Sequence, residues 1–526
     1  MNRFLKGLAL AGVAALVFTL GACDITELNE NPNQPSSATP ATLLANAQND
    51  LATIYWDDYP GAFWVRYSQY WTTNQYTDSD RYAFPTRRSG SNDANWEDFY
   101  LVLNDLQEVI RLNREEDQSA FGPPDNQIAI AKIMQAFTYH TYHMMTDMWG
   151  PIPYQQALGG REDNFNPDYT AQPDIYTGLI DSLTAASQMI DTGQPALAGS
   201  DIVYGGDMSQ WKKLANSLKM RVAMRMADRR PDMAETAINE ALDAGVMESA
   251  GDAAAIPFSS SPPYQNPFYE NYEVDGRDDW AAPEPILGLM NDVEDPRRGA
   301  YFTDGNPNEP GNQFNPFPYG LPGGEAQSRF TDPDRFFSRP SERVRGDASA
   351  PAYIMLYDEV LFTKAEAAQR AQDGEFGNIN ISDSPESLYR DAIRASLTFW
   401  DAAEAPDDYL EEVPYDNSNG WAPEEGPGAT WESTLGIQKW LALYLQGMQG
   451  WAEWRRLDFQ EVLQVPAGNP GEDRFGCTFP LRMSYPTSET TLNPESRKTA
   501  VDEFLGGTDD QSVALWWDVE TPGCNE

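Results

Sequence analysis

The sequence predicts an all-α protein of stacked helical pairs, interrupted by one long irregular segment. Amphipathic patterns with the helical period follow one another on both sides of the chain's middle. They recur every 30 to 40 residues or so, the spacing typical of tetratricopeptide-like helix pairs. The middle, about 249–350, is instead rich in proline, glycine, asparagine and aromatic residues. Because long irregular stretches inside compact proteins are usually functional, we expect this segment to face a ligand.

The first element is a lipoprotein signal peptide, residues 1–22. Arg3 and Lys6 precede fourteen uncharged residues, Gly7 to Leu20, which are too few to span a bilayer comfortably. Leu20-Gly21-Ala22-Cys23 then forms a lipobox, the pattern at which bacteria acylate the cysteine and cleave before it. We therefore predict lipidation of Cys23; an ordinary signal peptide followed by a chance cysteine is the alternative. The polar, Asn- and Pro-rich residues 23–40 would be a lipidated tether.

The body of the protein, predicted as one domain over 41–526, begins with a series of helices. The apolar period predicts helices at 41–56, 62–72, 94–115, 126–148, 174–191, 208–228 and 232–244, and then at 352–372, 386–401, 433–446 and 448–463. Pro173 and Pro231 each indicate the first turn of a helix, where proline's missing N–H costs nothing. Beyond 463 we expect no strong helix, and strands only as a few short hairpins.

Composition excludes several classes of partner. The 526 residues include 81 acidic and 36 basic ones, a net charge of −45, and this field repels nucleic acid and anionic lipid. It suits solubility in high salt. Apart from Cys23, only Cys477 and Cys524 are present, and in an exported protein we expect them to form a disulfide.

Catalytic and metal signatures are weak. The sequence has no GxSxG, P-loop, HExxH or CxxC motif, so we expect no enzyme activity; a lipid-anchored glycan hydrolase is the alternative. His140, His143 and Asp147 share one helical face and could hold zinc or copper, although a satisfied interior is favoured. We expect no cofactor. Calcium at the acidic loop 416–420 stays open, but the loop lacks EF-hand spacing.

Six motifs occur in a familiar order behind the lipobox. They are Leu28-Asn29-Glu30-Asn31-Pro32-Asn33, preceded by Asp24-Ile25; Asp147-Met148-Trp149-Gly150-Pro151-Ile152-Pro153-Tyr154; Leu214 to Arg221 with Arg225; Tyr357 to Ala368 with Glu359 and Glu366; Trp454-Arg455-Arg456; and Arg482 to Pro486 with Glu489 and Asn493. Together they resemble the SusD/RagB family of surface nutrient-binding lipoproteins, and most closely its SusD-like subgroup with the NENPN start.

This resemblance implies a fold of four tetratricopeptide-like helix pairs that support an irregular, ligand-facing region. It also implies that the protein captures a nutrient, oligosaccharide or peptide, and covers a SusC-like TonB-dependent outer-membrane barrel as a lid. The location would be the outer membrane, through the N-terminal lipid, facing the exterior. One departure is Asp24 directly after Cys23, since an acidic neighbour retains lipoproteins at the inner membrane in some bacteria. The motif residues Arg221, Arg225, Arg455 and Arg456 are expected to pair with helix carboxylates or carbonyls as scaffold.

Sugar capture requires flat aromatic rings with polar groups beside them. Two regions of the sequence offer this mixture, and we select from them nine candidate ligand-binding residues: Trp71, Asn74, Tyr76, Arg81, Tyr82 and Trp96 from the first, and Tyr272, Trp280 and Tyr319 from the second. The second region also contains Tyr264, Tyr269, Arg277 and Phe317. The aromatic content favours glycan over peptide as the ligand. The alternative is that most of these rings fill the cores of helix pairs.

Overall fold

The computed structural model of the chain describes residues 38–56, 62–83, 89–141, 145–305, 313–402, 406–423, 431–520 and 524. Pro40–Glu526 forms one compact unit. The predicted signal peptide 1–22, Cys23 and the tether as far as residue 37 lie outside the described residues. Helices dominate the described residues, and none of those helices is long and apolar enough to cross a membrane.

The N-terminal half is a series of helices that pack in chain order. Its helices are α1 (Pro40–Trp56), α2 (Ala62–Tyr67), α3 (Ser89–Glu115), α4 (Pro124–Ala136), α5 (Met145–Trp149), α6 (Gln172–Met189), α7 (Met208–Arg225) and α8 (Pro231–Ala244). Helix α1 packs on α3, α3 on α4, α4 on α6, α6 on α7 and α7 on α8. This stacking of helices in chain order confirms the predicted all-α, tetratricopeptide-like architecture.

Local chemistry explains where these helices begin. Pro173 and Pro231 lie in the first turns of α6 and α8, as predicted. The side chain of Asp207 accepts hydrogen bonds from the backbone N–H groups of Ser209 and Gln210, which caps α7. These caps satisfy N–H groups that have no partner within the helix.

Three predicted helices end earlier than expected, for identifiable backbone reasons. Helix α2 stops at Tyr67 instead of 72, because Gln69 takes a left-handed conformation with φ 60°. Helix α4 changes at Phe137–Thr141 into a π-helical turn. The last long predicted helix stops at Arg456 instead of 463, since Asp458 has φ 50°.

The central segment is more ordered than the sequence suggested. It contains the short helices α9 (Pro267–Tyr269), α10 (Glu284–Asp292), α11 (Arg298–Tyr301), α12 (Gly323–Phe330) and α13 (Glu342–Arg345). These pieces are too short to show a helical period among so many prolines and glycines. Phe268, Ile286 and Phe317 from this segment are nevertheless buried, so it packs against the helical body.

The C-terminal half returns to longer helices. They are α14 (Tyr357–Asp373), α15 (Pro385–Phe399), α16 (Pro406–Glu412), α17 (Trp431–Ala442), α18 (Gly447–Arg456), α19 (Pro470–Phe475), α20 (Glu489–Leu492) and α21 (Pro494–Phe504). Helices α14 and α15 pack on each other, α14 also packs on α7 and α17, and α18 packs on α17 and α2. The expectation of no strong helix beyond 463 is wrong at α21, whose buried residues are only Ala500 and Val501 and therefore give little apolar signal.

Strand content is small, as predicted. Three antiparallel pairs are formed by β1 (Thr72–Thr73) with β5 (Trp280–Ala281), β2 (Ile152–Pro153) with β3 (Tyr169–Thr170), and β4 (Ala254–Ile256) with β6 (Ala352–Met355). Strands β2 and β3 follow one another along the chain, whereas β1–β5 and β4–β6 each join distant parts of the chain. The pair β1–β5 decides where the site lies.

Candidate functional site

The strand pair β1–β5 brings together the two regions that the sequence singled out. Thr72 pairs with Ala281, and Thr73 pairs with Trp280. Hydrogen bonds extend this contact, because the backbone N–H of Asn74 donates to the carbonyl oxygen of Asp279 at 2.9 Å. The loop after α2 and the central segment therefore form one continuous surface, although the residues that join them lie 204 positions apart.

A buried carboxylate shapes the loop on the α2 side. One oxygen of Asp80 accepts hydrogen bonds from the backbone N–H of Thr73 at 2.6 Å and from the hydroxyls of Thr72 and Thr73 at 2.8 and 2.9 Å. The side chain is fully buried, and burial raises the pKa of Asp80, although Arg66 at 3.8 Å opposes this effect. Asp80 thus holds the start of the loop against its end.

The same loop contains strained backbone. Gln69, Tyr76 and Tyr82 all have positive φ, at 60°, 56° and 56°. Residues with side chains rarely adopt this conformation, and where the surrounding structure enforces it they cluster at binding and catalytic sites. At Tyr76 the conformation accompanies an aromatic side chain that is 54% exposed.

Tyr76 is the exposed ring of the candidate surface. The guanidinium of Arg277 lies over its face, 5.8 Å from the ring centre. Arg277 is held in turn by Asp279, to which its Nε donates at 2.7 Å, and Gln75 donates to the same carboxylate. An exposed tyrosine beside a fixed guanidinium and an amide is a combination that stacks on a sugar face and hydrogen-bonds its hydroxyls.

A second group of arginines extends this surface. Asp278 accepts hydrogen bonds from Arg339 at 3.0 Å and from Arg345 at 3.2 Å. Arg345 lies 3.6 Å from the ring centre of Tyr272, and Arg339 lies 4.1 Å from that of a phenylalanine, Phe330. Tyr272 is half-buried. We call Tyr76, Tyr272, Arg277, Asp278 and Arg339 the Tyr76 surface.

Five of the nine residues predicted to contact a ligand are buried in the structure. Trp71, Tyr82, Trp96, Trp280 and Tyr319 are at most 6% exposed. Their rings fill the core: those of Trp71 and Trp280 contact each other at 5.2 Å between centres, and Trp96 packs on Trp149 at 5.0 Å. Large rings contribute more to stability by burial than by exposure. In this structure they support the surface from beneath and present no face to a ligand.

Two further predicted residues, Asn74 and Arg81, have mainly structural contacts. The amide of Asn74, which is buried, donates to the backbone oxygen of Asp278 at 2.5 Å. Arg81 donates to the carbonyl oxygens of Gly320 and Ala467 at 2.8 and 2.7 Å. Both therefore fix the loop. Of the nine candidates, Tyr76 and Tyr272 keep substantial exposure within the Tyr76 surface.

Sequence reasoning missed three members of this neighbourhood, Asp278, Arg339 and Arg345. A signal was present, since Arg329, Arg335, Arg339, Arg343 and Arg345 cluster within one short stretch of a strongly acidic chain. Their contact with the Tyr76 region depends on tertiary packing, which no sequence spacing shows.

The family-like arginines act as scaffold, as predicted. Arg221 pairs with Glu359 at 2.5 Å, and Arg225 pairs with Asp147 at 3.0 Å and with Glu453 at 2.8 Å. Their neighbours complete a buried ionic network: Arg456 pairs with Glu366 and Glu453, Lys439 pairs with Glu453, and Arg455 donates to the carbonyl oxygens of Trp451 and Leu481. Nearly every buried charge of this network has an opposite charge in contact, which burial requires.

The pKa values of two carboxylates of the network, Glu453 and Asp147, are shifted in opposite directions. Burial alone would raise the pKa of Glu453, but Arg456, Lys439 and Arg225 outweigh burial and hold it well below the ordinary value. Burial raises the pKa of Asp147 to about 6 in spite of Arg225 and Arg455. Asp147 also accepts hydrogen bonds from Tyr176 and from Trp517. Its two oxygens are thus engaged by protein donors, one by Tyr176 and Trp517 and the other by Arg225.

The other metal candidates from the sequence are the pair His140 and His143 and the acidic loop 416–420. The side chains of His140 and His143 fall outside the described residues. Among the residues that are described, no group of three or more His, Cys, Asp or Glu side chains is arranged to hold a metal ion. In the loop proposed for calcium, Asp416 accepts from the N–H of Ser418 at 3.1 Å, and Asn417 bonds to the backbone of Ala422. Both side chains stabilise the turn.

The sulfur atoms of Cys477 and Cys524 lie 1.98 Å apart and form a disulfide. The two residues also form an isolated antiparallel bridge. The last described residue of the chain is thereby joined to the segment that follows α19.

Comparisons with known proteins agree with the observed fold. A SusD-like family model, described as "Starch-binding associating with outer membrane", matches residues 32–486. No curated protein matches the sequence significantly. Among solved structures, a chitin-binding SusD homolog from Flavobacterium johnsoniae is similar, with TM-score 0.74 and 23% identity, covering 92% of this chain and 99% of that one.

Two other solved structures give the same result. A SusD homolog from Bacteroides uniformis has TM-score 0.70 and 24% identity, covering 91% of this chain and 99% of that one. A SusD homolog from Parabacteroides distasonis has TM-score 0.74 and 23% identity, covering 93% and 99%. At these identities the structures establish the fold, whereas the family model covers most of the sequence. With the predicted motifs, the helical stack and this match in agreement, the chain belongs to the SusD-like family of the SusD/RagB group.

Proposed function

We propose that this protein is a surface-exposed glycan-binding lipoprotein that captures oligosaccharide and delivers it to a SusC-like TonB-dependent transporter, over which it acts as a lid. The observation that carries the binding part is the Tyr76 surface, where an exposed ring stands beside fixed arginines and carboxylates. Family membership supports the same conclusion, and one structural neighbour is named for chitin binding.

The chemistry of the Tyr76 surface fits a neutral or weakly charged sugar. The ring of Tyr76 offers an apolar face to the C–H side of a pyranose. Asp278 is 40% exposed while it pairs with Arg339, so it can accept a hydrogen bond from a sugar hydroxyl without being desolvated first. Since the surface is preformed by β1–β5 and Asp80, little ordering is needed on binding.

Affinity electrophoresis and isothermal titration calorimetry on a panel of soluble glycans test this proposal. We expect Tyr76→Ala to weaken binding about tenfold, which corresponds to about 1.4 kcal/mol. Phe165→Ala is the matched control, because Phe165 is a 71% exposed ring on a different loop. The assignment would be overturned if no glycan in the panel retarded the wild-type protein, or if wild type and Tyr76→Ala were retarded equally.

Two alternatives lead to different results in the same assays. A peptide-binding member of the family would bind oligopeptides and not glycans, and its affinity would still depend on the Tyr76 surface. A lipid-anchored glycan hydrolase would release reducing ends from the panel. The absence of catalytic motifs in the sequence favours binding without turnover.

Anchoring and partnership are tested separately from binding. We expect radiolabelled palmitate to label the wild type and not Cys23→Ser. We also expect the lipidated protein to co-purify with a large outer-membrane barrel. Labelling of both forms, or purification without such a barrel, would contradict this part of the proposal.

A further inference from the structure

A second polar cleft lies between the N-terminal helices, away from the residues of the Tyr76 surface. Its walls are α3, α4 with the π-helical turn, α6 and the loop around Leu158, and its volume is 520 Å³. A hollow of 710 Å³ beside it shares Gln107 and Leu158, so the two are continuous. This size is within the range of small-molecule sites, roughly 300 to 1,000 Å³.

Two tyrosines form the aromatic wall of the cleft. The rings of Tyr139 and Tyr154 meet edge to face, with centres 4.9 Å apart. Tyr139 is placed by the π-helical turn Phe137–Thr141, a feature frequently found at functional sites. Tyr154 lies against Gly178, where an added Cβ would be 2.8 Å from the tyrosine hydroxyl. The missing side chain at Gly178 is what gives Tyr154 its room.

Several polar side-chain groups in this wall have hydrogen-bonding capacity that the described residues do not fill. Within the described part of the chain, neither tyrosine hydroxyl has a hydrogen-bond partner, and both residues line the opening. Gln107 and Gln135 bond to each other through one amide, at 3.2 Å. The remaining amide and hydroxyl groups are therefore positioned for a ligand rich in hydroxyls.

Two cations at the cleft and the adjoining hollow have no carboxylate partner, although the chain is strongly acidic. Lys132 is half-buried in the wall and forms no ion pair with any residue whose position is described. Its neighbour Arg114, in the adjoining hollow, is likewise unpaired among those residues. Burial lowers the pKa of Lys132, and Arg114 lowers it further. In a chain with 81 acidic and 36 basic residues, two neighbouring cations without partners favour an anionic ligand.

We propose that this cleft is a second binding site for a short acidic oligosaccharide, made of uronic acid units. Lys132 and Arg114 meet a carboxylate, Gln107 and Gln135 meet ring hydroxyls, and Tyr139 with Tyr154 contact a sugar face. Among the described residues that line the cleft and the hollow, Lys132 and Arg114 are the two cations without an ion pair, whereas Arg111 and Arg161 are neutralised by Glu108 and Glu115. Because Asp181 also lines the cleft, a singly charged carboxylate is matched better than a sulfate or phosphate ester.

Isothermal titration calorimetry of the purified protein with trigalacturonate tests the site, and the fully methyl-esterified trisaccharide serves as neutral control. We expect binding of the acid at least tenfold tighter than that of the ester, and weaker binding as salt rises. Lys132→Met should reduce acid binding about tenfold. Tyr154→Phe, which keeps the ring, should reduce it about threefold. Lys212→Met, on α7 outside the cleft, is the matched control and should bind as wild type does.

Several outcomes would overturn the inference. They are no heat of binding for trigalacturonate at millimolar concentration, equal affinity for acid and ester, and wild-type affinity in Lys132→Met. Tyr76→Ala should leave trigalacturonate binding unchanged, and a loss there would assign the ligand to the Tyr76 surface instead. Thermal unfolding of each variant separates lost binding from lost folding. Because the Tyr76 surface is tested with its own glycans, failure of either site leaves the other standing.

Discussion

Replacing Arg221 by methionine should destabilise the protein strongly, because the change leaves the buried carboxylate of Glu359 without its opposite charge. Nε of Arg221 lies 2.5 Å from one oxygen of Glu359, and Nη2 lies 2.5 Å from the other, with both side chains 2% exposed. The second nitrogen also donates to the carbonyl oxygen of Ile354 at 3.0 Å. Breaking one side of such a pair costs about 3 to 5 kcal/mol, since the remaining charge is left without a partner.

The double variant Arg221→Met/Glu359→Leu should recover most of that loss. Removing both charges also removes the desolvation penalty, and such replacements are often neutral or stabilising. The melting entropy is about 2.1 cal/mol/K per residue, which gives about 1 kcal/mol/K for a body of this size. We therefore expect the single variant to melt about 3 to 5 °C lower and the double variant within about 2 °C of wild type.

Differential scanning calorimetry provides the measurement. Lys498→Met is the control, because the Lys498–Asp502 pair is exposed, at 70% and 51%, and such pairs contribute little. A fall of less than 1 °C for Arg221→Met would refute the reasoning, as would a double variant that melts below the single one. Either result would mean that burial does not govern the energy of this pair.

Three other variants test separate features. Burial raises the pKa of Asp358 to about 7, so its carboxyl stays protonated in the folded state while the unfolded chain has already released the proton; stability should fall as pH rises from about 4 to 7, and Asp358→Asn should flatten this part of the profile in thermal melts. Asp80→Ala removes the oxygen that accepts three hydrogen bonds, and we expect a loss of about 1 to 3 kcal/mol in unfolding free energy together with weaker glycan retardation; wild-type retardation would contradict the role of Asp80 in shaping the loop. At Gly447 an added Cβ would lie 2.5 Å from the backbone carbon of Trp64, so Gly447→Ala should cost about 1 to 3 kcal/mol by calorimetry, whereas Gly324→Ala, with open space around it, should not.

The helical scaffold was predictable because its apolar residues recur with the period of an α-helix. The seven helices predicted between 41 and 244 are all present, with 126–148 divided into α4 and α5, and the starts at Pro173 and Pro231 agree with their proline signals. The errors occur where one residue's backbone decides the outcome. Gln69 and Asp458 end helices through positive φ, which apolar periodicity does not encode. Helix α21 was missed because it buries too little to show a stripe.

The candidate site was predictable as a region but not residue by residue. Composition marked the loop after α2 and the central segment as two separate candidate regions, and the pairing of β1 with β5 joins them in the structure. It could not separate Trp71, which is buried, from Tyr76, which is 54% exposed, because both are aromatic residues in the same loop. Arg339 and Arg345 reach the site only through tertiary packing around Asp278.

The long separation between the two halves of β1–β5 has a consequence for how the molecule acquires its binding surface. Contacts between positions some 200 apart close large loops and raise the contact order, so they form late in folding. A chain that has emerged only as far as α8 already contains several helix pairs with local contacts, but it lacks every residue of β5. Helix pairing can therefore begin during synthesis, whereas the capacity to hold a sugar arises only once the central segment has docked.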